Sequence, residues 1–157
     1  MNTSPCSASI TLRAADLSEK ERLADLRALV LQTDLTRLGR YDEEKVRERF
    51  RGAFAPEWTR IVEVEGAFAG CVALRPEGER DVLEHFYLHP EFQGRGIGSR
   101  VLAILLSKNA AEGRGVTLNA LQGSPVRRLY ERFGFRVDRE DPIDVFMTWE
   151  PEDWRNA

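Results

Sequence analysis

The chain has 157 residues, 42% of them apolar and 31% charged, the profile of one soluble globular domain long enough to bury its own core. Its net charge of −3 argues against nucleic acid as the main partner, because neutralising phosphates needs a basic face. The longest uninterrupted aliphatic run, Val101 to Leu106, is far too short to span a membrane, and no membrane partner is expected.

Residues 1–8 read as a polar N-terminal tail, residues 9–150 as the domain and residues 151–157 as a C-terminal tail. Ser9 to Arg13 alternates and predicts a first strand. Ser18 followed by Glu21 has capping-box spacing, so a helix is expected from Glu19 to Gln32, with Leu23, Leu26 and Val30 on its apolar face. A loop over Thr33 to Arg40 leads to a second helix at Asp42 to Phe54, with Val46, Phe50 and Ala53 inward; Pro56 ends it. Thr59 to Glu65 and Ala67 to Leu74, joined at Glu65-Gly66, predict a hairpin. A turn at Arg75 to Arg80 precedes a fourth strand, Asp81 to Leu88, closed by His89-Pro90. After a glycine-rich segment a helix is expected over Ser99 to Ala111, stopped by Gly113 and Gly115. Val116 to Leu121 is the next strand. Ser124-Pro125 starts a helix that Gly134 ends, and Phe135 to Val137 and Asp144 to Trp149 are the last two strands. The order β-α-α-β-β-β-α-β-α-β-β predicts an α/β fold, one mixed sheet with helices packed on it.

The glycine-rich segment is Gln93-Gly94-Arg95-Gly96-Ile97-Gly98. A strand, a glycine turn and a helix N-terminus together make an anion site, since the first helical N–H groups are unpaired and carry partial positive charge. Glycines let backbone approach the ligand, and Arg95 adds a cation. No Lys-Ser or Lys-Thr follows, which excludes a P-loop. The glycines fall one residue short of G-x-G-x-x-G and late in the chain, which excludes a dinucleotide fingerprint.

What fits is Q-x-x-G-x-G, with Gln93, Gly96 and Gly98. The stretch Tyr87-Leu88-His89-Pro90-Glu91-Phe92-Gln93-Gly94-Arg95-Gly96-Ile97-Gly98 resembles the pyrophosphate-binding segment of the GNAT superfamily of acyl-CoA-dependent N-acetyltransferases. Downstream, Ser124-Pro125-Val126-Arg127-Arg128-Leu129-Tyr130-Glu131-Arg132-Phe133-Gly134-Phe135 is similar to the family's N-x-x-A-x-x-L-Y-x-x-x-G-F. The resemblance covers residues 9–150 and implies a single domain with a mostly antiparallel sheet of seven strands, helices on both faces, and the fourth and fifth strands splayed.

The same resemblance implies a division of labour. Backbone N–H groups of Gln93, Gly94, Arg95, Gly96, Ile97, Gly98 and Ser99 would hold the pyrophosphate of acetyl-CoA. Backbone of Phe86, Tyr87 and Leu88 would border the pantetheine arm, and a strand N–H near Leu88 would stabilise the oxyanion. Tyr130 matches the family's proton donor to the leaving thiolate. Glu84, on the strand before the loop, is the candidate base for the amine proton. Arg127, near the start of its helix, either grips CoA phosphate or is solvated. The chain departs from the family at Gly123, where many members carry an Asn that contacts pantetheine.

For His85 and His89, surface or turn packing is expected, with strand alternation directing them to the face opposite Glu84. Cys71 reads as a small core hydrophobe, and Trp58, Trp149 and Trp154 as core or rim aromatics. Acidic residues Asp34, Asp42, Glu43, Asp141 and Asp144 either attract a cationic amine or are simply solvated. Two cysteines (Cys6 and Cys71) and two histidines supply neither a disulfide framework nor a zinc site with C-x-x-C spacing, so no metal is expected. The Ser-rich start lacks the pattern of a secretory signal, and the expected compartment is the cytoplasm. The expected reaction is acetyl transfer from acetyl-CoA to a small-molecule or peptide amine, without a covalent enzyme intermediate. The alternative is a non-catalytic acyl-CoA sensor on the same fold. A homodimer is the default assembly.

Overall fold

Seven strands and four α-helices follow one another in the chain of this computed structural model, which describes residues 8–156. The strands are β1 (Ile10–Ala14), β2 (Thr59–Val64), β3 (Ala67–Glu77), β4 (Arg80–Leu88), β5 (Gly115–Leu121), β6 (Arg136–Glu140) and β7 (Asp144–Trp149). The helices are α1 (Lys20–Arg37), α2 (Glu43–Ala53), α3 (Ile97–Glu112) and α4 (Val126–Arg132). The strands form one mixed sheet in the order β1-β2-β3-β4-β5-β7-β6. β4 and β5 run parallel, and the other recorded pairs are antiparallel. The expected N-terminal tail lies outside the described residues except at Ala8.

The chain divides into two compact units. The first is the chain up to Ala73 together with His85–Val101; the second is Leu74–Glu84 with Leu102–Ala157. In the first unit β1 pairs with β2, and β2 with β3, across a two-residue turn. Both turn residues have positive φ, 51° at Glu65 and 79° at Gly66, the conformation that matches the right-handed twist of a hairpin. Its core gathers Leu23, Ala24 and Leu26 of α1, Phe50 of α2, Ile61 and Cys71 of the hairpin, and Tyr87. Ion pairs Arg47–Asp25 (2.8 Å) and Arg51–Glu21 (3.0 Å) link α2 to α1 on the exposed side.

Several local details differ from the sequence reading; among them, β3 runs on to Glu77, into the turn expected over Arg75 to Arg80, and β6 extends to Glu140. The capping box is Asp16 with Glu19, two residues earlier than Ser18 with Glu21, and the Glu19 carboxylate accepts the Asp16 N–H at 2.9 Å. α1 runs on to Arg37, so most of the loop expected over Thr33 to Arg40 is helix. Leu35 is buried, which gives that extra turn an apolar contact to hold it. Gly39, at φ 70°, then breaks the chain direction. On α2, Val46 and Phe50 are buried as expected, but Ala53 is exposed.

In the second unit β4 pairs with β5 through Arg80↔Gly115, Asp81↔Val116 and Val82↔Thr117. β5 pairs with β7 from Val116 to Leu121, and β7 with β6. Asp81 is buried and fully engaged. Arg114 reaches its Oδ1 (2.9 Å) and Asn109 of α3 its Oδ2 (2.8 Å). A Cβ at Gly115 would lie 3.0 Å from the Trp149 carbonyl oxygen and 2.6 Å from the Glu150 carboxylate, so a side chain there would push Glu150 aside. Residues 151–156 form a 3-10 helix whose buried Asp153 accepts the Glu150 N–H and pairs with Arg136.

Candidate active site

The glycine-rich segment lies in the first unit, between the end of β4 and the start of α3. Gly94 and Gly96 both adopt the left-handed region, at φ 71° and 76°, and a Cβ at either would meet open space. Glycine is needed there for the backbone turn, not for room. The first bond of the α3 ladder runs from Arg100 N–H to Gly96 O at 3.2 Å. The amides of Ile97, Gly98 and Ser99 therefore precede the ladder and point out of the helix N-terminus. α3 begins at Ile97, two residues before the expected Ser99, because the glycine turn feeds straight into it. Ile97 is buried and anchors this turn, while Gln93 to Gly96 are exposed.

The side chains of the segment are partly committed. Gln93 turns back and donates from Nε2 to the Leu88 carbonyl at 2.9 Å, closing the end of β4. Arg95 lies with its guanidinium 5.2 Å from the Phe92 ring centroid and donates to the Glu91 carbonyl at 3.3 Å. His89 sits beyond the strand and accepts the Glu91 N–H on Nδ1 at 3.2 Å, which is the turn role expected of it.

Within β4 the backbone is irregular at His85, where φ is 50°. That positive φ breaks the two-residue alternation, so strand periodicity no longer assigns faces to the residues that follow. The His85 ring meets Phe50 edge-on, with centroids 5.0 Å apart. Its Nδ1 lies 3.2 Å from the Tyr87 hydroxyl, which accepts from Arg27 Nε at 3.0 Å. Tyr87 is buried with its side chain held in this way, so what it can offer a ligand is backbone. Phe86 and Leu88 are half-buried. The sequence reading missed Gly70, Arg27 and the irregularity at His85. Gly70 within an otherwise apolar strand was the visible signal, since an isolated strand glycine marks a bulge or a close backbone approach.

Glu84, Tyr130 and Arg127 belong to the second unit. Glu84 is half-buried and ion-paired with Arg75 of β3, from Nε at 3.2 Å. Hydrogen bonds that Arg75 donates to Glu84 and then to Glu77 hold its guanidinium in the charged form, raised above its ordinary pKa. Tyr130 is buried on α4, its ring tilted against Phe135 with centroids 5.4 Å apart. Arg127 reaches Glu140 (3.3 Å) and Glu131 (3.6 Å), so its charge is already balanced on the protein. Gly123 takes a positive φ of 77°. Asn119, the nearest Asn upstream, donates to Asp144 at 2.9 Å.

The acidic residues considered for amine attraction each make a local bond. Asp34 pairs with Arg37 and Glu43 with Arg47. Asp42 caps α2 by accepting the Lys45 N–H. Asp141 accepts the Asp144 and Ile143 N–H groups, which hold its carboxyl below the usual range. Cys71 and Trp149 are fully buried, Trp58 is exposed and Trp154 half-buried. Among the described residues no cluster of His, Cys, Asp and Glu could hold a metal ion, and no helix is long and apolar enough to cross a membrane.

The family model for the acetyltransferase (GNAT) domain matches residues 56–137, more than half of the chain and inclusive of the glycine-rich segment and Tyr130. The chain belongs to the GNAT acetyltransferase family. Acyl transfer is thus its class of activity. Solved structures agree on the fold. The PaiA N-acetyltransferase from Thermoplasma acidophilum, in complex with coenzyme A, superposes with a TM-score of 0.73 at 19% identity, over 90% of this chain and 99% of that one. FdhC, a nucleotide-linked sugar GNAT in its apo form, gives 0.70 at 14% identity, over 95% and 91%. The ribosomal-protein-S18-alanine N-acetyltransferase from Escherichia coli gives 0.68 at 14% identity, over 90% and 94%. No curated protein matches this GNAT sequence.

Proposed function

We propose that this GNAT domain transfers an acetyl group from acetyl-CoA to a small-molecule or peptide amine, by direct attack and without a covalent enzyme intermediate. The observation that carries the reading is the turn at Gly94 and Gly96, both left-handed, which delivers the free amides of Ile97, Gly98 and Ser99 at the α3 N-terminus. That cradle is free of side-chain bulk and suits a pyrophosphate, whose charge the helix end and the exposed Arg95 complement. ATP carries phosphates too, but the Lys of a P-loop is missing from the segment.

The chemistry then assigns the remaining roles. The attacking amine must be neutral, and Glu84 takes its proton directly or through water. The amine nitrogen forms a bond to the thioester carbonyl carbon. Charge collecting on the carbonyl oxygen is met by a β4 N–H near Leu88. The C–S bond breaks, and Tyr130 supplies the proton to the departing thiolate. Arg127 is better read as a partner of Glu131 and Glu140 than as a phosphate ligand, since its ion pairs would have to break first. The test is release of free CoA thiol from acetyl-CoA in the presence of a panel of amines: polyamines, aminoglycosides, amino acids and peptides with free N-termini. Amine-dependent release supports the reading. Tight acetyl-CoA binding with no release for any amine favours the sensor alternative.

A further inference from the structure

His85 holds a left-handed φ of 50° in the middle of β4. For a residue with a side chain that conformation is costly, and it persists only where the surroundings over-determine it. Its neighbours on β3 do so. Gly70 lies so close that a Cβ there would sit 2.0 Å from the Tyr87 carbonyl oxygen and 3.0 Å from the Leu88 Cα. The next residue, Cys71, donates its thiol to the His85 carbonyl at 3.2 Å. A backbone hydrogen bond from Tyr87 reaches the same sulfur. Just past the end of β4, the His89 N–H meets the Ala69 carbonyl at 2.8 Å. Backbone groups of His85, Tyr87 and His89 are thus directed at β3. The recorded β4–β5 pairs run from Arg80↔Gly115 to Val82↔Thr117, and none of them takes up the backbone of Phe86 or Leu88.

We propose that Gly70 and Cys71 are positioning residues for acyl-CoA: by fixing β4 at His85 and Tyr87, they set the direction of the Phe86 and Leu88 backbone that receives the pantetheine arm. The proposal rests on the acetyl-CoA reading above. The glycine admits the Tyr87 carbonyl against β3. The thiol satisfies backbone polar groups that the irregular ladder leaves over, which buried backbone requires. Cys71 is fully buried, so water does not replace it.

The test compares Cys71→Ala with Cys71→Ser, side chains of nearly equal size that differ in one hydroxyl. Gly70→Ala is the steric variant. Acetyl-CoA affinity is measured by calorimetry, the melting temperature is followed in parallel, and hydrogen exchange of the β4 amides is read in the free protein. Cys71→Ala is expected to bind acetyl-CoA about five- to tenfold more weakly, the worth of one hydrogen bond. Cys71→Ser should bind close to wild type although both variants lose the sulfur's packing and melt lower. Gly70→Ala should bind at least as weakly as Cys71→Ala. Equal affinity of the Ala and Ser variants, or wild-type affinity in Gly70→Ala, overturns the proposal. If wild type itself fails to bind acetyl-CoA, the proposed function falls. Exchange then judges positioning alone: faster β4 exchange in Cys71→Ala than in Cys71→Ser upholds it, and equal rates reject it.

Discussion

Arg75 grips both carboxylate oxygens of Glu84, with Nε 3.2 Å from Oε2 and Nη2 3.3 Å from Oε1. A forked pair of this kind fixes the plane of the carboxylate. Both side chains are partly exposed, at 38% and 26%, so the pair adds little to stability. Its consequence is orientation of the proposed base. Glu84→Gln keeps the shape but accepts no proton. Turnover should fall by about a hundredfold or more, the usual weight of a general base, with acetyl-CoA affinity unchanged. The limb of the pH–rate profile on which activity rises with pH should flatten. An unaltered profile would assign the proton to another group.

The Tyr130 ring packs on Phe135, a contact that Tyr130→Phe keeps. Tyr130→Phe should therefore fold normally and bind acetyl-CoA as wild type does. Turnover should drop by roughly ten- to a hundredfold if the phenol protonates the leaving thiolate. Steady-state thiol release and a melting curve on the same preparation separate the two roles. Full activity would return Tyr130 to the core alone.

The hairpin turn at Glu65-Gly66 and the glycine turn at Gly94 and Gly96 were legible because local backbone chemistry decides them. The same holds for β7, whose alternation over Asp144–Trp149 sets both ends of the strand. The end of α1 was not legible. Gln32 to Arg37 carries two β-branched threonines and no distinctive pattern, and its helicity leans on the burial of Leu35. The positive φ at His85 was hidden for a different reason. Its cause lies on another strand, in the closeness of Gly70 to Tyr87, and no periodicity within β4 reports it. Glu84 and Tyr130 were singled out through motif resemblance, whereas their contacts with Arg75 and Phe135 needed the fold.

Burial pushes the Cys71 thiol up to about 12, out of the range in which thiols react. In a Cys6→Ser background, the native protein at pH 8 should resist alkylation, and one thiol should appear on unfolding. Stability should also depend on pH in a defined window. Between about 9 and about 12 the unfolded thiol ionises while the folded one keeps its proton, so stability falls as pH rises. Denaturant midpoints measured from pH 8 to 11 should show this slope, and Cys71→Ala should remove its thiol component. Rapid native alkylation would contradict the buried placement.

Arg95 is exposed at the rim of the glycine cradle, resting on the Phe92 ring. Arg95→Glu puts a like charge beside the pyrophosphate. Affinity for CoA should fall by about tenfold or more at low salt, and the deficit should shrink as salt rises. Calorimetry at two ionic strengths checks both statements. Unchanged affinity would remove Arg95 from the site.

Calorimetric titration of the wild-type protein with acetyl-CoA, using CoA, NAD and ATP as comparisons, tests the central claim most directly. The account predicts saturable binding of acetyl-CoA and CoA at one site per chain, and no comparable binding of NAD or ATP. Failure of both acetyl-CoA and CoA to bind would contradict it, leaving the turn at Gly94 and Gly96 as a structural link between β4 and α3.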